Sequence, residues 1–465
     1  MLSTKIICTI GPASQSYEVL EQMAHSGMCV ARLNFSHGTH ESHGQIIDRV
    51  RELNRTLQFP IALLLDTQGP EIRTGSKEIE LRKGETIRVT MPPHEEREGE
   101  LFVNYPFLVE QVEVGGFIAV DSGLVKLRVA AKGDGFLDCE VLDPGYLKAR
   151  RHINLPGVAV KLPSITENDK RDLLFGLEKD VDAIALSFVR NKEAIQEVRE
   201  LLGERGKQIK LIAKIENQEG VDHLESIVQE ADGIMVARGD LGIEIDMEEL
   251  PQIQRRIAYL CAIYGKRLVV ATQMLESMIE HPVPTRAEVT DIANAVYEQA
   301  DAIMLSGETS AGKHPVRCVE TLARVARRTE EFPGVRFTDK QFKTSNRQHL
   351  AEAVANIASN LRMKGIVVLT RFGRGAMYVA NWRPRDIGIY AFTNLEKTYR
   401  TLVFNRGVWP FLLDEFSENP EDNIQEALIR LKNSEHFVPG DKVIVFADSL
   451  TMEGYVNSMQ IRTIP

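Results

Sequence analysis

The segment KLIAKIE (210–216) holds a lysine and a carboxylate two residues apart, Lys214 and Glu216. If the segment is a strand, alternation puts both side chains on one face. A second carboxylate, Asp240, follows the apolar run ADGIMVA (231–237) within the sequence ARGDLG. Two carboxylates at the ends of neighbouring strands could share one hard cation. Its remaining positions would go to water and substrate oxygens, as is usual for magnesium. A lysine beside such an ion suits neutralisation of charge while an anionic group is transferred. Gly239 and Gly242 permit close backbone approach to a ligand. Other polar residues stand where other apolar runs end: Arg32 and Asn34, Asp66 and Arg73, Thr272, and Ser306 with Glu308. Singly, each is an ordinary loop or capping residue. Their coincidence at successive run ends is what needs explaining.

Eight apolar runs could position these groups. They are TKIICTI (4–10), MCVARLN (28–34), PIALLLD (60–66), DAIALSF (182–188), KLIAKIE (210–216), ADGIMVA (231–237), RLVVATQ (267–273) and ADAIMLS (300–306). Continuous runs of this kind suit strands covered on both faces. Helix-length segments lie between most of them. In 248–265, for example, Ile253, Ile257, Leu260 and Tyr264 recur at helical spacing. Eight strands alternating with helices predict an α/β fold, a (β/α)8 TIM barrel whose strand C-termini share one rim. An open doubly wound sheet is the competing arrangement.

Residues 67 to about 163 break the rhythm with alternating patterns (Ile87, Val89; Val125, Leu127, Val129) and many glycines. They predict a small β-barrel inserted in a strand-to-helix loop, positioned to act as a lid. The polar stretch FTDKQFKTSNRQ (337–348) reads as a linker. Beyond it, a helix with Leu350, Val354, Ile357 and Leu361 on one face precedes strands at 365–370, 386–393 and 441–448. The expected organisation is therefore a barrel over 1–68 and 164–336, a lid over 69–163, and a C-terminal α/β sandwich over 345–465.

Composition excludes several classes. With 56 Lys and Arg against 66 Asp and Glu, the net charge is −10, which argues against a duplex nucleic-acid binder. No apolar run approaches the roughly 20 residues that span a bilayer. The N-terminus MLSTKIICTIG lacks a signal-peptide pattern, and the five cysteines form no CxxC pair. A reduced, cytoplasmic, multidomain protein is expected. The stretch GETSAGKH (307–314) nearly matches a nucleotide-binding P-loop. It places His314 where the hydroxyl should stand, and it follows a barrel strand, so it is set aside.

The motifs TKIICTIGPAS (4–14), ARLNFSHG (31–38), LDTQGPEIRTG (65–75), NLPG (154–157), AKIEN (213–217), MVARGDLGIEI (235–245), ATQMLESM (271–278), PTRAEVTDIANAV (284–296) and MLSGET (304–309) occur in that order. Through them the chain resembles the pyruvate kinase family, closely in the first two domains and more loosely in the third. The resemblance implies transfer of the phosphoryl group of phosphoenolpyruvate to ADP, giving pyruvate and ATP, the last step of glycolysis. It implies Mg2+, with Mn2+ able to substitute, K+, and a homotetramer. On this resemblance Glu216 and Asp240 are the magnesium ligands. Lys214 stabilises the transferring group and the enolate, and Arg32 binds phosphate. Gly239, Asp240 and Thr272 cradle the substrate carboxylate. Asn34, Ser36, Asp66 and the Thr67 carbonyl form the potassium site. Arg73, the segment Asn34, Phe35, Ser36, His37, and Arg151 from the lid contact the nucleotide. Ser306 and Glu308 belong to a relay that protonates the enolate.

The chain also departs from the family pattern. Glu71 looks like the potassium-dependent form, where a lysine marks the independent one. Gln68 stands where many relatives carry lysine. In TRFGRGA (370–376), Phe372 and Gly375 replace hydroxyls of a sugar-bisphosphate loop, so fructose 1,6-bisphosphate is not the expected effector. Arg371 and Arg374 remain candidates for another phosphorylated effector. A different metal-dependent barrel enzyme acting on pyruvate or phosphoenolpyruvate, an aldolase or mutase, would share Glu216 and Asp240 without needing the lid or Arg73.

Overall fold

All eight apolar runs become parallel strands: β1 (Lys5–Thr9), β2 (Met28–Asn34), β3 (Ala62–Asp66), β4 (Ala183–Leu186), β5 (Lys210–Ile215), β6 (Gly233–Ala237), β7 (Arg267–Ala271) and β8 (Ala302–Leu305). The structure, a computed structural model, describes residues 2–121, 123–158, 160–434, 436–451 and 454–465. The strands close in sequence order, β8 pairing with β1, into a barrel. The open-sheet alternative is thereby excluded. Burial explains why the runs are unbroken: one side of each strand fills the barrel, with Ile7, Val30, Leu64, Ala185, Ile212, Met235 and Met304 among the packed residues. The other side meets the helices, as Leu63, Leu211, Ile234 and Ile303 do. Helix Leu250–Tyr264 buries Ile253, Ile257 and Leu260 and stops at Gly265, whose φ of 65° makes the left-handed cap that glycine allows.

The β3–β4 interval folds as a separate unit around its own core, which includes Ile87, Val89, Leu127, Val129 and Leu137. Seven strands lie in the order Ile72–Arg73, His152–Asn154, Phe117–Val120, Val125–Gly133, Phe136–Asp143, Thr86–Thr90, Leu101–Phe102. The two edges meet at a Thr74–Val103 bridge, closing the sheet on itself. The unit also carries a one-turn helix, Leu108–Gln111, too short to leave a periodic signal.

The C-terminal part is a five-stranded sheet ordered Val408–Leu412, Gly388–Thr393, Gly365–Leu369, Lys442–Thr451, Gly454–Thr463, with only the last strand antiparallel. Apolar clusters cover both faces, as a sandwich requires. Its first helix, Asn346–Asn360, starts at a Ser345–Gln348 capping box. The buried stripe of that helix is Ala351, Val354, Ala355 and Ala358, while Leu361 is 57% exposed. The larger side chains at Leu350 and Ile357 flank the seam because small alanines let the helix approach the sheet closely. Part of the stretch expected to be a linker is a 3-10 turn, Phe337–Lys340, with Thr338 buried against the barrel.

The barrel face opposite the strand C-termini is clamped to this third unit. Asp301, just before β8, accepts from Arg267 at 3.1 Å and from both terminal nitrogens of Arg383 at 2.7 and 2.6 Å. Asp182, just before β4, accepts from Arg400 at 2.9 Å and from the Leu63 amide at 2.9 Å. Between these clamps Val403 and Phe404 enter the interior cluster of the barrel itself. Among the described residues, no helix is long and apolar enough to cross a membrane.

Candidate active site

Four adjacent strands build the centre of the rim. Register sets Asn34 beside Asp66 on β2 and β3, and Ala185 beside Asp66 on β4 and β3. Arg32, at the end of β2, donates to Asp66 Oδ2 at 2.6 Å and to Thr9 Oγ1 at 2.7 Å. Lys214, near the end of β5, reaches Asp66 Oδ1 at 3.1 Å, Glu216 Oε1 at 3.0 Å and Ser187 Oγ at 2.7 Å. Alternation along β5 thus does bring Lys214 and Glu216 to the same side. All four charged groups are buried. Burial alone would lift the Asp66 carboxyl, but Arg32 and Lys214 outweigh it and hold it below the ordinary range. Burial would depress Lys214, yet Asp66 and Glu216 raise it, so it stays an ammonium. Glu216 is pushed up, first by burial and also by Asp240, against the pull of Lys214.

The neighbouring strand ends supply the next groups. Asp240 lies in the one-turn-plus helix Arg238–Glu244 that follows β6. Its half-buried carboxylate has no hydrogen-bond or ion-pair partner among the described residues. The Gly239 amide donates to Thr272 Oγ1 at 2.8 Å, which ties the β6 loop to the end of β7. Arg238 fixes the same corner through Asp291 at 2.7 Å and the Ala271 and Thr272 carbonyls. Thr272 and Gln273 have φ of 68° and 55°, a conformation costly for non-glycine residues and common at functional sites. Ser306 follows β8, and its amide donates to Glu308 Oε2 at 2.7 Å. The second oxygen of Glu308 takes the Leu275 amide at 3.0 Å, and the side chain is fully buried. Glu308 therefore braces two loops, leaving Ser306 as the half-buried group of this pair.

The inserted unit stands over this rim. Its strand Ile72–Arg73 pairs with His152–Asn154. Arg73 Nε meets Glu71 Oε2 at 2.7 Å, and its NH1 donates to the Arg150 carbonyl at 2.9 Å. Gln68 also donates to Glu71 Oε2, at 3.0 Å. Asn154 donates to Glu244 Oε1 on the barrel at 2.7 Å, and Arg190 on the barrel donates to the Val160 carbonyl at 2.5 Å. Burial holds His152 below its ordinary range while Glu71 and Asp240 pull it upward, so that one lid imidazole feels the carboxylates of both parts. Arg151 is half-buried and lies 3.5 Å from Asp121.

Asn34 Oδ1 accepts the Ser36 amide at 3.2 Å, which curls the loop after β2. Phe35 does not face the rim freely: its ring stacks on His43 at 4.2 Å and packs against the barrel core. His37 is exposed, and its carbonyl meets His43 Nε2 at 2.8 Å. Lys313 of the set-aside GETSAGKH stretch pairs with Glu280 at 2.6 Å on the surface. Sequence reasoning passed over Ser187 and Phe188, which directly follow β4. The Ser187 hydroxyl accepts from Lys214 and donates to the Thr67 carbonyl at 2.6 Å, and the Phe188 amide donates to Glu216 Oε2 at 2.7 Å. The only available signal was position: of the eight run ends, only those of β1 and β4 carry no assigned polar role.

The donor set fits a divalent cation. Asp240 has no hydrogen-bond or ion-pair partner among the described residues and its charge helps to raise Glu216, a repulsion that a cation shared by the two carboxylates would relieve. Among the described residues no group of three or more His, Cys, Asp or Glu side chains is placed to hold a metal ion. An ion held by these two carboxylates would keep positions for water and substrate, which suits magnesium. Register sets Asn34 beside Asp66, with Ser36 and Thr67 in the loops that follow, and these four oxygen-bearing residues carry one negative charge, a donor chemistry that suits a weakly bound monovalent cation.

Comparison with known proteins agrees with this geometry. Residues 1–319 match the family described as pyruvate kinase, barrel domain, and residues 348–462 match pyruvate kinase, alpha/beta domain. A pyruvate kinase of Staphylococcus epidermidis is 41% identical over 474 residues, spanning 100% of this chain and 81% of the relative. One from Geobacillus stearothermophilus is 42% identical over 474 residues, spanning 99% of this chain and 80% of the relative. One from Sporosarcina psychrophila is 41% identical over 475 residues, spanning 100% and 81%.

Proposed function

The chain belongs to the pyruvate kinase family and is a phosphotransferase; on that premise we propose that it transfers the phosphoryl group of phosphoenolpyruvate to ADP, with Mg2+ (or Mn2+) and K+ as cofactors, in the last step of glycolysis. The observation that carries this reading is the buried constellation of Arg32, Lys214, Asp66 and Glu216, with Asp240, which has no partner among the described residues, beside it. Both carboxylates are engaged in ion pairs, Asp66 with Arg32 and Lys214 and Glu216 with Lys214. They favour a direct transfer between bound oxygens, governed by positioning and charge neutralisation.

In this reading Thr272 and the Gly239 and Asp240 amides hold the substrate carboxylate. Arg32 and Lys214 take the phosphoryl oxygens. Glu216 and Asp240 would hold magnesium, which would supply positive charge to the transferring group. The bond between phosphorus and the enol oxygen breaks as an ADP terminal oxygen bonds phosphorus. Lys214 offsets the negative charge left on the enolate, which takes a proton at its terminal carbon to become pyruvate. Ser306 is assigned to the delivery of that proton and Glu308 to its support. Arg73, Arg151 and the Asn34–His37 loop contact the nucleotide, with the backbone and polar atoms of that loop serving rather than the stacked Phe35 ring. Asn34, Ser36, Asp66 and the Thr67 carbonyl would hold potassium. The lid excludes water, which would otherwise accept the phosphoryl group.

The same reading includes a cytoplasmic homotetramer with a barrel over 1–68 and 164–336, a lid over 69–163 and a C-terminal domain over 345–465. In that last domain Arg371 and Arg374 are candidates for a phosphorylated effector. Both are exposed beside Gly373, which has φ of 78° at the start of helix Arg374–Asn381.

A coupled assay tests the proposal. Pyruvate and ATP should form from phosphoenolpyruvate and ADP only when a divalent cation is present. Turnover of phosphoenolpyruvate without ADP-dependent ATP would refute it.

A further inference from the structure

The end of β4 carries a group that the family reading leaves without a task. Ser187 is buried, and its hydroxyl sits between two other buried groups: it accepts from Lys214 Nζ at 2.7 Å and donates to the Thr67 carbonyl at 2.6 Å. The contact with Lys214 is the shortest of the three that ammonium makes, against 3.0 Å to Glu216 and 3.1 Å to Asp66. The next residue, Phe188, has φ of 53°, and its amide takes the other oxygen of Glu216 at 2.7 Å. Gly69 packs so tightly here that a β-carbon on it would lie 2.8 Å from that of Ser187. Two consecutive residues therefore engage Lys214, Thr67 and Glu216 within a segment locked from behind.

We propose that Ser187 is a positioning residue for Lys214: its hydroxyl, oriented by donating to the Thr67 carbonyl, fixes the ammonium so that a remaining N–H points at the phosphoryl group. The inference rests on the reading of Lys214 as the cation that meets the transferring group. Its logic follows from donor counting. An ammonium has three donors and no acceptors. Glu216, as a carboxylate that would hold a divalent ion, would give up part of its contact with the ammonium. Ser187 and Asp66 then hold two donors and free the third for substrate. Asp66 alone would leave the long, flexible lysine stem free to swivel about one contact, and a misplacement of about 1 Å can cost on the order of 10²-fold in rate. Because Ser187 itself does not touch substrate, its loss acts on the rate and spares binding.

Ser187→Ala should lower kcat by roughly 10- to 100-fold and leave the dissociation constant for phosphoenolpyruvate, read from quenching of intrinsic fluorescence, within about threefold of the parent. Ser187→Cys preserves size but offers only a weak acceptor, so it should fall with the alanine variant rather than recover. A kcat within threefold of the parent for either variant overturns the proposal. So does a loss of phosphoenolpyruvate affinity in the cysteine variant as large as its loss of kcat, which would mark a purely structural role. Lys214→Met, measured alongside, separates the two layers. If it retains turnover, the reading of Lys214 itself falls. If it is inactive while the Ser187 variants are normal, only the positioning role falls.

Discussion

Replacing Asp301 by asparagine should destabilise the joint between barrel and C-terminal domain, and its size can be worked from the buried ion cluster. Asp301 is fully buried between Arg267 and Arg383, with a further bond from the Leu268 amide at 3.0 Å. Burial alone would raise its pKa, but the two guanidiniums outweigh it and bring it from 3.8 down to about 2. At about 1.36 kcal/mol per unit, that shift corresponds to ~2 kcal/mol of folding free energy. Asparagine also leaves two guanidiniums facing each other without a counter-charge, and breaking a buried pair this way costs about 3–5 kcal/mol. The expected loss at neutral pH is therefore in that larger range. The sign of the pH dependence is fixed. A depressed carboxyl stabilises fully above its unfolded pKa and loses its contribution as pH falls from about 4 towards 2. Urea unfolding read from tryptophan fluorescence is the assay, since both tryptophans, Trp382 and Trp409, lie in the C-terminal domain. The midpoint of Asp301→Asn should lie well below the parent's at pH 7.5, with the gap narrowing once the pH drops below about 4. Equal midpoints at pH 7.5, or a gap that does not narrow, would refute the electrostatic account.

Three further outcomes follow from the same geometry. Lys214→Met should lower kcat by at least ~10² with a much smaller change in phosphoenolpyruvate affinity, as read in steady-state kinetics; near-normal turnover would remove it from its role. Potassium should activate the enzyme at saturating magnesium and substrates. Glu71→Lys should lessen that activation by supplying a fixed cation, while lowering the maximal rate because Arg73 loses its 2.7 Å partner. Phe404→Ala should cost about 3–5 kcal/mol in a urea titration, since the ring fills the barrel interior at 5% exposure; a loss under about 1 kcal/mol would show that the ring contributes little there.

The barrel was legible because burial on both faces makes its strands unbroken apolar runs, and all eight runs became strands. The rim residues were legible for the same reason: a run can only end where a polar group faces the opening, as at Arg32, Asp66 and Lys214. Position along a strand does not reveal partners, so sequence alone could not show that both oxygens of Glu308 are spent on the Ser306 and Leu275 amides. Nor could it show that the ring of Phe35 is committed to His43. Ser187 stayed hidden because a serine before a phenylalanine carries no charge signal, and its importance lies wholly in what stands across the strand gap. On helix Asn346–Asn360 the expected stripe holds at Leu350, Val354 and Ile357, which line or flank the core, and fails only at Leu361. Ranking by hydrophobicity favours Leu361, whereas close packing against a sheet favours the alanines.

The entry of Val403 and Phe404 into the barrel interior means that the catalytic domain borrows its floor from its neighbour. Excising the first 336 residues would yield a vessel without a bottom, opening Ile7, Val30 and Met235 to water. Chimaeras that exchange C-terminal domains between relatives should work only when the tenant's two-residue peg matches the landlord's socket. Any tilt of one domain against the other must also pry at the lower ends of the strands whose upper ends hold the charged constellation.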